Sequence, residues 1–166
     1  SLGGAIVQTV ALDPPRWLQG IVLVGTGARL RVSDAILNAL QTDAEAAIRT
    51  VIDFAVGPEG STDLKERLRA GFLSTPPDVI LGDYLACNGF DAMETVGGIR
   101  VPTLVVSGEA DRLTPVKYGE YLTARIPGAR HVVIPRAGHM MALEFPDPFA
   151  RAVALFDPPR HGDAGF

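Results

Sequence analysis

Val101-Pro102-Thr103-Leu104-Val105-Val106-Ser107-Gly108-Glu109-Ala110-Asp111 is the stretch on which the fold turns. A short apolar run rich in β-branched residues, closed by a glycine, is the pattern of a strand buried on both faces. Such a strand belongs inside a parallel sheet. The same pattern precedes it at Gly20-Ile21-Val22-Leu23-Val24-Gly25 and follows it at Arg130-His131-Val132-Val133-Ile134-Pro135. Three parallel strands are expected, and parallel neighbours need crossover connections, ordinarily helices.

Helical patterns fill the gaps. From Leu2, apolar residues recur at Ala5, Ile6 and Val10 until Pro14-Pro15 forbids continuation, which predicts a helix over 2–12. Thr114 is placed to cap a helix that opens at Pro115 and stops at Pro127-Gly128. Asp147 is placed to cap another from Pro148, where Phe149, Ala152, Val153 and Phe156 fall at i, i+3, i+4 and i+7. This alternation specifies an α/β fold with a doubly wound, mostly parallel sheet.

The long stretch between the first two strands has no strand pattern. Helix starts stand at Ser33 or Asp34, Asp43, Ser61 or Thr62, and Pro76-Pro77-Asp78, and stops at Gly57-Pro58-Glu59-Gly60 and Asn88-Gly89. Four short helices inserted in the sheet follow from these signals. The expected organisation is a core at 1–32 and 89–157, a helical lid at 33–88 and a frayed tail at 158–166. Ile36, Leu40, Phe54, Phe72 and Leu85 of the lid, with Met140 beyond it, suit either helix packing or the lining of an apolar substrate pocket.

Composition narrows the class. The 166 residues, 47% hydrophobic and 20% charged, can bury a sizeable core. A formal charge of −4 without a basic run argues against a nucleic-acid partner, and no cluster of Arg or Lys marks an anion site. The single Cys87 allows no internal disulfide and fits a reducing, cytoplasmic compartment. No apolar run approaches the roughly 20 residues that span a bilayer, so no membrane association is expected.

A serine hydroxyl becomes a useful nucleophile only beside a base, which a carboxylate in turn orients. Ser1 precedes a helix, so the Leu2 N–H stands at a helix N-terminus, where partial positive charge favours an oxyanion. Gly3 and Gly4 remove side chains where that helix passes close to other backbone. Asp111 lies just beyond one buried strand and His139 beyond the next, at the carboxyl ends where open α/β sheets carry their sites. Read singly, each has a structural alternative: Asp111 as a cap or turn, His139 as a buried structural residue. Glu109 competes with Asp111 for the acid role.

In this order the blocks resemble the α/β-hydrolase superfamily, specifically its small bacterial esterase, lactonase and haloperoxidase-like branch. The matching stretches are Ser1-Leu2-Gly3-Gly4, Gly20 to Gly25, Phe90-Asp91, Ile99 to Pro115 with its Gly108-Glu109-Ala110-Asp111, and Ile134 to Met140 with Gly138-His139, followed by Glu144 and Pro146. The resemblance implies that Ser1 is the nucleophile, Asp111 rather than Glu109 the orienting acid, His139 the general base and Leu2 N–H one oxyanion donor. It also implies a serine hydrolase of carboxylic esters or lactones, working through an acyl-enzyme without a cofactor or metal. Carbon–carbon bond hydrolases and perhydrolases share that triad. A serine at this position argues against epoxide-hydrolase and dehalogenase chemistry, which uses a carboxylate nucleophile.

A family elbow is a strand, a sharp turn and a helix. By resemblance, the Gly-x before the serine, five further strands and a second oxyanion donor in a His-Gly loop are expected outside these 166 residues. The chain then holds the C-terminal part of the sheet, and the missing N-terminal half is its partner. Two other readings remain: an N-terminal-nucleophile hydrolase using the Ser1 amine as base, and a non-catalytic binding module of the same fold.

Other features carry less. Gly25-Thr26-Gly27-Ala28-Arg29-Leu30 follows a strand as a dinucleotide loop would, but Leu30 replaces the third glycine. His131 and His161 read as structural or surface residues, Cys87 as a small apolar one.

Overall fold

The computed structural model describes residues 1–156, so the expected tail at 158–166, with His161, lies outside the described residues. The chain runs α1 (Leu2–Leu12), β1 (Ile21–Val24), then α2 (Asp34–Thr42), α3 (Ala44–Ala55), α4 (Thr62–Leu73) and α5 (Pro77–Gly89). A 3-10 turn at Val96–Gly98 leads to β2 (Thr103–Gly108), α6 (Val116–Arg125), β3 (Arg130–Ile134), α7 (Met141–Glu144) and α8 (Pro146–Ala154).

The three strands form one parallel sheet in the order β1-β2-β3. Leu23 pairs with Val105, and Val106 with Val132. Side chains alternate across the sheet. Ile21, Leu23 and Val105 pack with Ala11 of α1 and Leu122 of α6 on one face. Leu104, Val106 and Ile134 pack with Met141 on the other, where Phe145 and Phe149 join them. Both faces are therefore covered by helices, as a parallel sheet requires.

From Asp34 to Gly89 the chain is helical except at the connections between helices. Ser33, Asp43 and Ser61 cap α2, α3 and α4 as expected, their side chains accepting from the N–H groups of Ile36, Ala46 and Leu64. These helices enclose a core of their own, built on Leu40, Ile48, Ile52, Leu64 and Ile80. The legs of the insertion meet at a neck. Arg29 and Asp91 form an antiparallel bridge, Ala92 N–H donates to Ala28 O at 2.7 Å, and Val32 N–H donates to Asn88 Oδ1 at 3.1 Å.

Three local expectations are corrected. Thr114 does not cap α6, which begins at Val116 behind Pro115, because its hydroxyl is committed to Asp111. Asp147 does not cap α8 either: that helix starts at Pro146, which places Asp147 in its first turn. Gly3 has no atom within 4 Å of where a Cβ would stand, so only Gly4 serves a close approach.

Leu23 is fully buried at 0% exposure, whereas Leu155 is 72% exposed. Leu23→Ala should cost about 2–5 kcal/mol of stability through lost burial and a residual cavity. Leu155→Ala should stay within about 0.5 kcal/mol. Urea unfolding of the two variants checks the contrast, and equal losses would misplace the core.

Candidate active site

β2 ends at Gly108, and the turn that follows leaves the Asp111 side chain with no exposed surface. A buried carboxylate is tolerated only when its oxygens are satisfied. Oδ1 accepts the N–H groups of Leu113 and Thr114, each at 2.9 Å, while Oδ2 accepts the Thr114 hydroxyl and pairs with His139 Nδ1, each at 2.8 Å. Burial pushes the Asp111 carboxyl up. The hydrogen bond and charge of His139 and the two hydrogen bonds from Thr114 outweigh burial and hold it below the usual carboxylate range. An ionised carboxylate only accepts, so His139 Nδ1 carries a proton toward it, and in the neutral imidazole Nε2 is the acceptor.

His139 follows β3 through a tight loop, and its N–H donates to Ala55 O at 2.7 Å, at the end of α3. Its ring lies against the end of β1. A Cβ at Gly25, where φ is +51°, would stand 3.2 Å from the imidazole, so the glycine serves both the left-handed backbone and the close approach. The next residue, Thr26, donates its hydroxyl to Ser1 O at 2.9 Å. A Cβ at Gly4 would come within 2.5 Å of the Thr26 side chain, so Gly4 lets α1 pass there.

Ser1 and His139 thus flank the Gly25-Thr26 turn. Among the described residues the Ser1 hydroxyl makes no hydrogen bond with His139, so the Asp111–His139 pair is joined and Ser1 stands apart from it. Leu2 opens α1, and its N–H has no intrahelical partner. Glu109 is turned elsewhere, its Oε2 accepting the Arg136 N–H at 2.8 Å, which leaves Asp111 as the carboxylate on the histidine.

A cavity of about 590 Å³ opens beside this pair, between the sheet's carboxyl ends and the insertion. Ser1, Leu2 and Thr114 line it on the sheet side. Of the six pocket candidates named from sequence, Ile36, Phe54 and Phe72 line it. The other three do not: Leu40 is buried in the insertion's own core, Met140 packs against that core, and Leu85 is 49% exposed. Residues that sequence reading missed complete the wall, among them Leu30, Val32 and Tyr84. Burial, with Cys87 adding to it, pushes the Tyr84 phenol up to about 12, so it stays protonated. Arg112 stacks over Phe54 at 4.0 Å and pins α3 to the acid loop.

Cys87 also faces the cavity, and its thiol is pushed up, chiefly by burial, which disfavours a thiolate. His131 binds Ser107 Oγ through Nε2 at 2.9 Å from within β3. Folding also gathers Arg29, Arg31 and Lys117 around a separate cavity of about 320 Å³, a basic grouping not visible in sequence order. Asp91 lies 3.6 and 4.0 Å from the two arginines. Among the described residues no group of His, Cys, Asp and Glu could hold a metal, and no helix is long and apolar enough to cross a membrane.

The fold agrees with comparison to known proteins. The Alpha/beta hydrolase family matches residues 1–152. The chain belongs to that family. A thermophilic esterase of known structure is 40% identical to this family member, with a TM-score of 0.85, over 94% of this chain and 62% of its own. The enol-lactonase from Burkholderia xenovorans is 25% identical, with a TM-score of 0.81, over 93% of this chain and 62% of its own. A pimeloyl-(acyl-carrier protein) methyl ester esterase of Neisseria meningitidis is 30% identical over 90% of this chain and 53% of its own. The chain spans less than two thirds of the length of each of these relatives.

The depressed Asp111 carboxyl sets an acid limit to stability. Its folded value lies below the unfolded one, so its contribution is complete above the unfolded pKa, about 3.9, and is lost as pH falls through the folded value. Asp111→Asn should therefore be less stable at neutral pH and lose less further stability on acidification below about pH 4. Acid titration followed by circular dichroism checks this, and an unchanged acid slope would refute it.

Proposed function

We propose that this chain carries the catalytic triad of a serine hydrolase acting on carboxylic esters or lactones, with Ser1 as nucleophile, His139 as general base and Asp111 orienting it. The observation that carries the reading is the 2.8 Å bond between His139 Nδ1 and the fully buried Asp111, near an apolar cavity lined by Ser1 and by Thr114, which itself bonds Asp111. The resemblance to an esterase at 40% identity and to an enol-lactonase supports the substrate class.

In this reading His139 Nε2 takes the Ser1 Oγ proton as the hydroxyl attacks the substrate carbonyl. The Leu2 N–H, at the positive end of α1, donates to the oxyanion. Collapse of the tetrahedral adduct expels the alcohol, protonated by His139, and leaves an acyl group on Ser1. A water deprotonated by the same imidazole attacks that acyl carbonyl, and His139 returns the proton to Ser1 as the acid leaves. Residues 33–88 act as a lid over the acyl cavity.

The reading extends to a further segment, which supplies the second oxyanion donor and the remaining strands. Two observations support it: relatives are longer than this chain, and among the described residues β1 has one edge unpaired although Ile21 and Leu23 are buried. The 166-residue chain alone should then hydrolyse a short-chain aryl ester poorly, since one oxyanion donor is worth about 2.7–4 kcal/mol.

Adding the further segment, joined or co-expressed, should restore turnover. In the restored enzyme, Ser1→Ala and His139→Ala should abolish it. Asp111→Asn should lower it by up to about four orders of magnitude, while Glu109→Gln costs far less. Equal losses at Glu109 and Asp111 would reassign the acid. Full Ser1-dependent turnover by the chain alone would favour the Ser1 amine as base, and no turnover in any form would favour a binding module.

Phe72 tests the acyl cavity separately. Phe72→Ala should raise kcat/KM for longer acyl chains relative to acetyl, on the order of tenfold, as the wall recedes. A panel of aryl esters of increasing chain length reads this directly, and an unchanged preference would remove Phe72 from the acyl wall.

A further inference from the structure

Glu144 is a carboxylate that the chemistry above does not use. It closes α7, and its Oε2 accepts the Gly57 N–H at 2.8 Å and the Gly138 N–H at 3.2 Å. Its Oε1 is buried and has no hydrogen-bond partner among the described residues. An unsatisfied buried oxygen works against stability, so what Oε2 holds is the feature that accounts for the residue.

The two donors come from opposite sides of a seam. Gly57 follows α3 in the insertion, and Gly138 immediately precedes His139. The seam is also bridged from His139 N–H to Ala55 O at 2.7 Å. A Cβ at Gly138 would stand 2.3 Å from Gly57 N and 2.7 Å from Ala55 O, and one at Gly57 would stand 2.8 Å from Gly138 N. No side chain fits at either position without parting the two backbones.

We propose that Glu144 is a positioning residue for His139: by accepting from both sides of the seam it fixes the backbone that carries the imidazole and makes the end of α3 part of the base's support. The proposal rests on His139 being the general base. Its operative property is reach, because two N–H groups need one acceptor at a set distance. Glutamine preserves that acceptor. Aspartate keeps the charge and is one methylene too short.

The test compares Glu144→Gln, Glu144→Asp and Glu144→Ala, with His139→Ala as reference, in the form of the protein that turns over the aryl ester. The first readout is the downfield proton resonance of His139 Nδ1–H in its bond to Asp111, and the second is kcat against KM. Glu144→Asp and Glu144→Ala should weaken or abolish the resonance and lower kcat on the order of 10–100-fold with KM little changed. Glu144→Gln should keep the resonance and most of kcat.

Aspartate rescuing where glutamine fails would assign the effect to charge and overturn the proposal. So would a folded Glu144→Ala with parental resonance and kcat, provided His139→Ala is inactive. If Glu144→Ala does not fold, the glutamine and aspartate variants decide by the same readouts. Undiminished turnover by His139→Ala would instead sink the triad reading, and the positioning role with it.

Discussion

β2 has both edges hydrogen-bonded and all six of its residues buried, and the site inherits its geometry from that strand. Because β2 and β3 run parallel, their carboxyl ends lie side by side, and the loops leaving Gly108 and Ile134 lace together. Glu109 N–H donates to Ile134 O at 3.0 Å and Ala110 N–H to Ala137 O at 2.8 Å. A Cβ at Gly108 would lie 2.4 Å from the carbonyl oxygens of Ala137 and Gly138, so the lacing requires a glycine there. The separation of Asp111 and His139 follows from backbone register and does not depend on the two side chains finding each other.

That arrangement divides stability between two places. The sheet is held by apolar burial on both faces, while the insertion has a separate apolar core and meets the His139 backbone at the end of α3. Ion pairs contribute little to either. Arg67–Asp63 and Arg49–Glu45, for example, lie on exposed helix faces at i, i+4 spacing, where such pairs are worth a few tenths of a kcal/mol. The buried Asp111–His139 hydrogen bond carries more weight.

The strands were legible in the sequence because a run buried on both faces has a simple composition: β-branched residues without alternation, bounded by glycine. Ser33, Asp43 and Ser61 were legible as caps because each acts within its own helix. Thr114 was not, since a carboxylate three residues earlier claims its hydroxyl. The four-residue α7 is too short to show a period. Asp111 and His139 could be placed at strand ends from the order of blocks, and the resemblance already favoured Asp111 over Glu109; that Glu109 turns to the Arg136 N–H is visible only in the fold. The cavity wall was half legible: helical spacing marks Leu40 and Phe72 alike as apolar, and only the packing of one helix on the next decides which faces the void. The grouping of Arg29, Arg31 and Lys117 depends on a fold-level contact across the neck and leaves no local trace.

The neck has a consequence for how such proteins diversify. Its legs run antiparallel within hydrogen-bond distance from Arg29 to Asp91, so the insertion leaves the sheet and returns to it at nearly one point in space. A recombination event that exchanges everything between those legs asks nothing new of the strands, whatever the length or shape of the incoming piece, because loop closure is already satisfied. Two conditions travel with the exchange. The incoming segment must again offer a carbonyl where Ala55 meets the His139 N–H and, two residues on, a side-chain-free N–H where Gly57 meets Glu144.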